Sequence, residues 1–289
     1  MTPLGWTVLS GCLSSVMALA FKGLRRSGAG VRHCYLFLGG VGTVLGWALL
    51  LAHREPFDAA SALFGAGVGV LFIPGAALAF TSLREVPISV TWTSLALGVV
   101  VPVAVGLVAL GETMSGLKAG GFALSLVTIG LFGLGLRGRS GAGHVRLSGR
   151  GALMCLGMLV INGLALLVYK LRDYALGSAH QGACVAALYS VVCAVALVWL
   201  AVARPRTRVL PAMAWPGLVF GASSVFAVTA ILRAQVLPSY VVFPIANGVQ
   251  VLAVPVVAYF MFGERLRWPS VVGLATGLAS MVMLGWGSQ

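Results

Sequence analysis

GVVVPVAVGLVALGE, residues 98–112, is an apolar run that carries one proline and stops at Gly111-Glu112. VLAVPVVAYFMFGE, residues 251–264, does the same and stops at Gly263-Glu264. Two runs so alike make an internal repeat the organising fact of the chain. Around them ten apolar spans can be drawn, at 4–24, 33–52, 60–83, 87–110, 117–136, 151–171, 180–202, 212–233, 240–262 and 269–287. The paired runs then end the fourth span of each set of five.

Composition fixes the solvent. Apolar residues make up 60% of the chain and charged ones 9%, against about 25% charged in soluble domains. At about 1.5 Å rise per residue, about 20 residues cross the hydrocarbon core. Lipid cannot satisfy backbone polar groups, and the runs are twice the length of barrel strands without period-two alternation, so they are helices. The expected fold is an all-α integral membrane protein with short loops. Ala18-Leu19-Ala20 mimics a signal-cleavage site, but the positive charge of Lys22, Arg25 and Arg26 follows the first apolar run instead of preceding it. That run is therefore read as a mature helix. Cys12, Cys34, Cys155, Cys184 and Cys193 form no CxxC pair and read as small packing residues.

The halves echo each other in order. Phe21-Lys22 closes span 1 and Tyr169-Lys170 closes span 6; Leu83-Arg84 and Leu232-Arg233 each precede a proline; Pro102 answers Pro255, and Ser94 answers Asn247. Gly116, Gly120 and Gly121 in span 5, and Gly273 and Gly277 in span 10, give small faces on which helices can approach closely. The expected organisation is a first five-helix repeat over 1–137, a basic Gly-rich linker over 138–148 and a second repeat over 149–289. An odd number of spans per unit inverts the second copy, which is a recurrent build of secondary transporters. Two near-equivalent halves have two near-equivalent ways to pack around one site.

Pro244-Ile245-Ala246-Asn247-Gly248, continued to Phe262-Gly263-Glu264-Arg265-Leu266 and then Gly273 and Gly277, resembles the ninth and tenth helices of the EamA-type drug/metabolite transporters. The likeness extends over the whole chain as a ten-helix pattern. It implies a basket of ten helices that moves small metabolites through a cavity formed by helices 1, 3, 4, 6, 8 and 9. Small multidrug exporters of that superfamily use a glutamate in the first helix to exchange protons for cations. Spans 1 and 6 here hold none, so lipophilic cations are disfavoured.

Charge sets an orientation. Loops after odd-numbered spans hold Lys22, Arg25, Arg26, Arg32, Arg84, Arg137, Arg139, Arg146, Arg150, Arg204, Arg206, Arg208, Arg265 and Arg267, and the opposite side holds Arg54, Lys118, Lys170, Arg172 and Arg233. The positive-inside rule puts the richer side in the cytoplasm and both termini outside. This departs from the usual arrangement of the family it resembles, which keeps both termini inside. The net charge of +13 is then explained by orientation and lipid headgroups, with no nucleic-acid partner. The expected setting is a bacterial cytoplasmic membrane, with lipids and a small-molecule substrate as partners and a homodimer left open.

Polar side chains within spans are costly, so they are the site candidates. Tyr240, Asn247 and Gln250 share one face of span 9; Thr91 and Ser94 lie on span 4 with Trp92 beside them, Ser14 on span 1 and Asn162 on span 6. Amides and hydroxyls suit a neutral or zwitterionic solute. Ser14, Ser15, Asn162, Ser223, Ser224 and Thr229 form a second tier. Pro102 and Pro255 read as matched hinges. Glu112 and Glu264 sit at span ends and read as helix-capping or ion-pairing acids of the following helix, while Lys22 and Lys170 read as snorkelling to headgroups. No paired carboxylates, metal-ligand cluster or catalytic residue lies inside a span, so neither enzyme chemistry nor a cofactor is expected. The expected function is alternating-access transport of a metabolite, by preference export. A flippase or carrier subunit for a lipid-linked sugar and a non-transporting structural subunit are the alternatives.

Overall fold

The computed structural model describes residues 1–82, 88–136, 149–202, 210–262 and 268–286. Among them every regular element is an α-helix: α1 (Pro3–Arg26), α2 (Val31–Ala52), α3 (Ala59–Ser82), α4 (Ile88–Leu97), α5 (Val100–Ala109), α6 (Gly116–Leu136), α7 (Gly149–Leu176), α8 (Gln181–Val202), α9 (Pro211–Ala234), α10 (Ser239–Phe262) and α11 (Trp268–Gly285). The linker 138–148 and Glu264 lie outside the described residues.

Local sequence sets the helix starts. Thr2 accepts the Gly5 N–H at 3.2 Å, and Pro3 fills the first turn, where its missing donor costs nothing. Asp58 caps α3 by accepting the Ser61 N–H at 2.6 Å. The fourth span was expected to cross in one piece, but it forms two ten-residue helices, α4 and α5, parted at Gly98 and Val99. Pro102 has no N–H for the Gly98 carbonyl, and its ring crowds that oxygen. Tighter bonds take over: the Gly98 N–H reaches Leu95 O at 3.0 Å and the Val101 N–H reaches Gly98 O at 3.1 Å. α10, in contrast, runs unbroken through Pro244 and Pro255, so Pro102 and Pro255 stand in different settings. The side chain of Pro255 lies outside the described residues.

Six helices, α1, α2, α3, α7, α8 and α9, are long and apolar enough to cross a membrane, and shorter apolar stretches lie in residues 94–109, 116–131, 239–254 and 271–285. Leu63, Val108, Leu153 and Leu278 face outward, and Trp268 and Trp286 are exposed at the two ends of α11. An apolar outer surface with aromatic residues at helix ends is what lipid and its interface select. The protein is an all-helical membrane protein.

Small residues decide how the helices meet. α1 packs on α9 and α10, α3 on α7 and α8, α2 on α8 and α9, and α7 on both α4 and α5. Gly65 and Gly69, the seventh and eleventh residues of α3, lie against the backbone of α8 at Cys184 and Leu188; Gly217 and Gly221, the seventh and eleventh of α9, lie against Phe37 of α2. The small faces of α6 and α11 are used on each other. Ser280 donates to Gly121 O at 2.8 Å, and Thr128 donates to the Thr276 hydroxyl at 2.9 Å. Interhelical hydrogen bonds of this kind contribute about 1 kcal/mol each.

Candidate functional site

α1, α3, α4, α7, α9 and α10, with Leu38 of α2, line a half-open cavity of about 210 Å³. Its walls are mainly aromatic and aliphatic, with Phe21, Phe72, Trp92, Tyr169, Phe220 and Phe243 among them. Four of the expected polar residues line it, namely Ser14, Asn162, Asn247 and Gln250, together with Trp92. They arrive from α1, α4, α7 and α10, so residues far apart in sequence converge on one space.

Their hydrogen bonding differs. Asn162 donates Nδ2 to Leu95 O at 2.8 Å, satisfying a carbonyl in the last turn of α4 just before the Gly98 break. Gln250 donates Nε2 to Ser14 O at 3.4 Å, a long contact that ties α10 to α1. The Nδ2 of Asn247 and the hydroxyl of Tyr169 are buried with no protein partner. Ser10 and Ser224 also line the cavity, but Ser10 donates to Ala227 O at 2.9 Å and Ser224 pairs with the Tyr189 hydroxyl at 2.7 Å.

The remaining candidates stand apart from the cavity. Thr91 is buried and pairs with the Ser82 hydroxyl at 3.1 Å, and Ser94 is buried without reaching the lining. Tyr240 donates to Thr113 O at 2.9 Å and carries Lys118 Nζ 5.6 Å from its ring centre. It shares a face with Asn247 but lies two turns nearer the helix start, beyond the cavity. Ser15, Ser223 and Thr229 bond back to carbonyls of their own helices.

Two side-chain clusters border the cavity wall. In one, Phe21 stands 5.7 Å from Phe80, 6.1 Å from Trp92 and 5.5 Å from Phe220, ring centre to ring centre. In the other, beyond Tyr169, Lys170 Nζ lies 3.0 Å from Glu112. This corrects the expectation that Lys170 snorkels, because its side chain is only 10% exposed. The Glu112 carboxylate also accepts the Ser239 N–H at 3.0 and 3.1 Å and the Ser239 hydroxyl, and so caps α10 rather than the following helix α6. Gly111 makes this possible. With φ at +68° it turns the chain out of α5 and lets the Glu112 N–H fold back to Gly106 O at 3.0 Å. Gly106 itself leaves the space that the carboxylate and Ser239 occupy. Arg172, one turn from the end of α7, is fully buried and donates to Ser61 Oγ at 3.2 Å, to Gly177 O at 3.0 Å and to Ala179 O.

The fold has a solved counterpart. A crystal structure of a protein aligns with a TM-score of 0.75 over 98% of this chain and 96% of its own, at 14% identity. At that identity the likeness is one of fold alone. No protein-family model matches the chain, and no curated protein is similar to it.

The aromatic wall is what sequence reasoning missed. Phe72, Phe220 and Phe243 sit in apolar runs where a ring facing a cavity and a ring facing lipid look the same. Tyr169 carried a signal, since Tyr169-Lys170 repeats Phe21-Lys22, but the pair reads as the close of a span and not as a cavity wall.

Proposed function

We propose that the protein is a secondary transporter of the EamA type, built as a ten-span 5+5 inverted repeat that moves a small solute by alternating access, by preference outward. The observation that carries this reading is the cavity, to which α1, α3 and α4 of the first half and α7, α9 and α10 of the second contribute, with Leu38 of α2 as a further contact. The helix pairings support it. If α1 corresponds to α7, α2 to α8, α3 to α9, α4 with α5 to α10, and α6 to α11, then α1 on α9 answers α7 on α3. In the same way α3 on α8 answers α9 on α2, α1 on α10 answers α7 on α4 and α5, and α2–α8 and α6–α11 answer themselves. A twofold axis between the halves produces that pattern, and glycines at the same two places in α3 and α9 agree with it.

Alternating access needs a closable constriction on each side of the site. In this reading the Phe21 cluster and the Lys170–Glu112 pair serve as those constrictions. The site binds without a covalent step, so Ser14, Trp92, Asn162, Asn247 and Gln250 act as contacts and not as catalysts. A bacterial inner membrane completes the reading, with both termini outside from the charge bias.

Counterflow in proteoliposomes loaded in turn with amino acids, sugars, nucleosides and neutral aromatic amides tests the proposal. Exchange of at least one class, reduced by Asn247→Ala, supports it. Absence of exchange across all classes by a folded, correctly inserted protein refutes it.

A further inference from the structure

We infer that the cavity selects an uncharged, planar, ring-bearing solute with a carbonyl or amide edge, and rejects carboxylates, ammonium ions and zwitterions. This narrows the substrate class of the transporter proposed above and rests on that reading only for movement, not for binding.

Three observations carry it. Among the described residues the cavity lining holds no Asp, Glu, Lys, Arg or His. A full charge moved into such a space loses its hydration and finds no counter-charge, whereas a neutral polar group loses only hydrogen bonds that the walls can replace. The Lys170–Glu112 ion pair offers no help, because Lys170 is held by Glu112 and Leu237 O and does not line the cavity.

The second observation is two orphaned polar atoms. Asn247 Nδ2 on α10 and the Tyr169 hydroxyl on α7, both on residues of the cavity wall, are buried without a partner, while Ser10, Ser224, Asn162 and Gln250 are already engaged. A buried donor left unmatched is unfavourable, and native proteins rarely keep one without a reason. A side-chain rotation that turns these groups to the cavity lets a solute remove both deficits, by offering an acceptor to Asn247 and a second polar atom to Tyr169.

Third, six aromatic residues from α1, α3, α4, α7, α9 and α10 contribute to the walls. Flat rings pack favourably on flat rings, with edge or offset contacts that add to simple burial. The volume agrees. A dry cavity of about 150 Å³ takes benzene and drug-sized pockets begin near 300 Å³, so about 210 Å³ suits one substituted ring.

The test is a charge series on one framework. Purified full-length protein is titrated with benzamide, benzoate, benzylammonium and phenylalanine by isothermal calorimetry, and Asn247→Ala and Tyr169→Phe are titrated with benzamide. Benzamide is expected to bind at least tenfold more tightly than each charged analogue, and each variant is expected to lose about five- to tenfold in benzamide affinity. Equal or tighter binding of benzoate, benzylammonium or phenylalanine overturns the inference, as does unchanged benzamide affinity in both variants. The series on the unmodified protein decides the matter even where a variant does not fold. If benzamide binds but nothing is exchanged in proteoliposomes, the site stands and the transport reading fails. If another solute is exchanged and benzamide does not bind, the transport reading stands and this inference fails.

Discussion

Removing Glu112 and removing Lys170 should not have the same effect, although the two form one ion pair. Both side chains are about nine-tenths buried, and stranding one partner of a buried pair costs about 3–5 kcal/mol. Lys170→Met leaves a carboxylate that still accepts the N–H and hydroxyl of Ser239, so its cost should fall at or below the bottom of that range, about 2–3 kcal/mol. Glu112→Leu leaves an ammonium with Leu237 O, 3.4 Å away, and the Asp173 carboxylate within electrostatic reach, and also removes the cap of α10. With about 1 kcal/mol for the lost cap, it should cost about 4–5 kcal/mol. The double variant has no stranded charge and should be more stable than the sum of the singles implies, by about 1–2 kcal/mol. At roughly 2–4 °C per kcal/mol, melting in detergent should drop by roughly 10 °C for Glu112→Leu and by roughly half that for Lys170→Met. Equal shifts, or strict additivity in the double variant, would refute the view of Glu112 as both counter-ion and cap.

Three further outcomes follow from the packing and the charge bias. Gly65→Ala puts a methyl group onto the Cys184 carbonyl and should lower stability by about 2–3 kcal/mol, whereas Gly67→Ala on the same helix meets nothing within 4 Å and should be neutral or slightly stabilising, as melting temperatures will show. Asn162→Ala removes the side-chain donor to Leu95 O, which keeps the Gly98 N–H, and should cost about 0.5–1.5 kcal/mol, read by the same melting measurement. A periplasmic alkaline phosphatase reporter fused at Gln289 should be active and a cytoplasmic fluorescent reporter there silent; the reverse would overturn the orientation.

How much the chain disclosed in advance depended on which residues lipid makes expensive. Asn247 and Gln250 stood out because an amide at mid-membrane needs a reason, Asn162 and Ser14 followed in a second tier, and all four line one cavity. Tyr240 shared their helical face but not their depth, since a periodicity of seven fixes direction around a helix and says nothing about where a cavity ends. Thr91 and Ser94 were legible as buried and illegible as packing residues. The aromatic wall was hidden by the solvent itself: hydrocarbon outside and an apolar pocket inside select the same side chains, so Phe72 and Phe243 gave no contrast. The repeat misled at Pro102 and Pro255. Equal residues suggested equal kinks, yet Gly98, four positions before Pro102, packs against Gly163 and marks a break in the chain that α10 lacks. Lys170 looked like a headgroup lysine because its partner, Glu112, arrives from α5 and the whole of α6 separates them in sequence.

The central claim is that one cavity serves both faces of the membrane in turn, and a single cysteine can report on it. With the five native cysteines replaced by alanine and Ala76 in the cavity wall changed to cysteine, a membrane-impermeant maleimide is offered to right-side-out and to inverted vesicles. Labelling from both faces is the predicted result; reaction from one face alone, or from neither, contradicts the account.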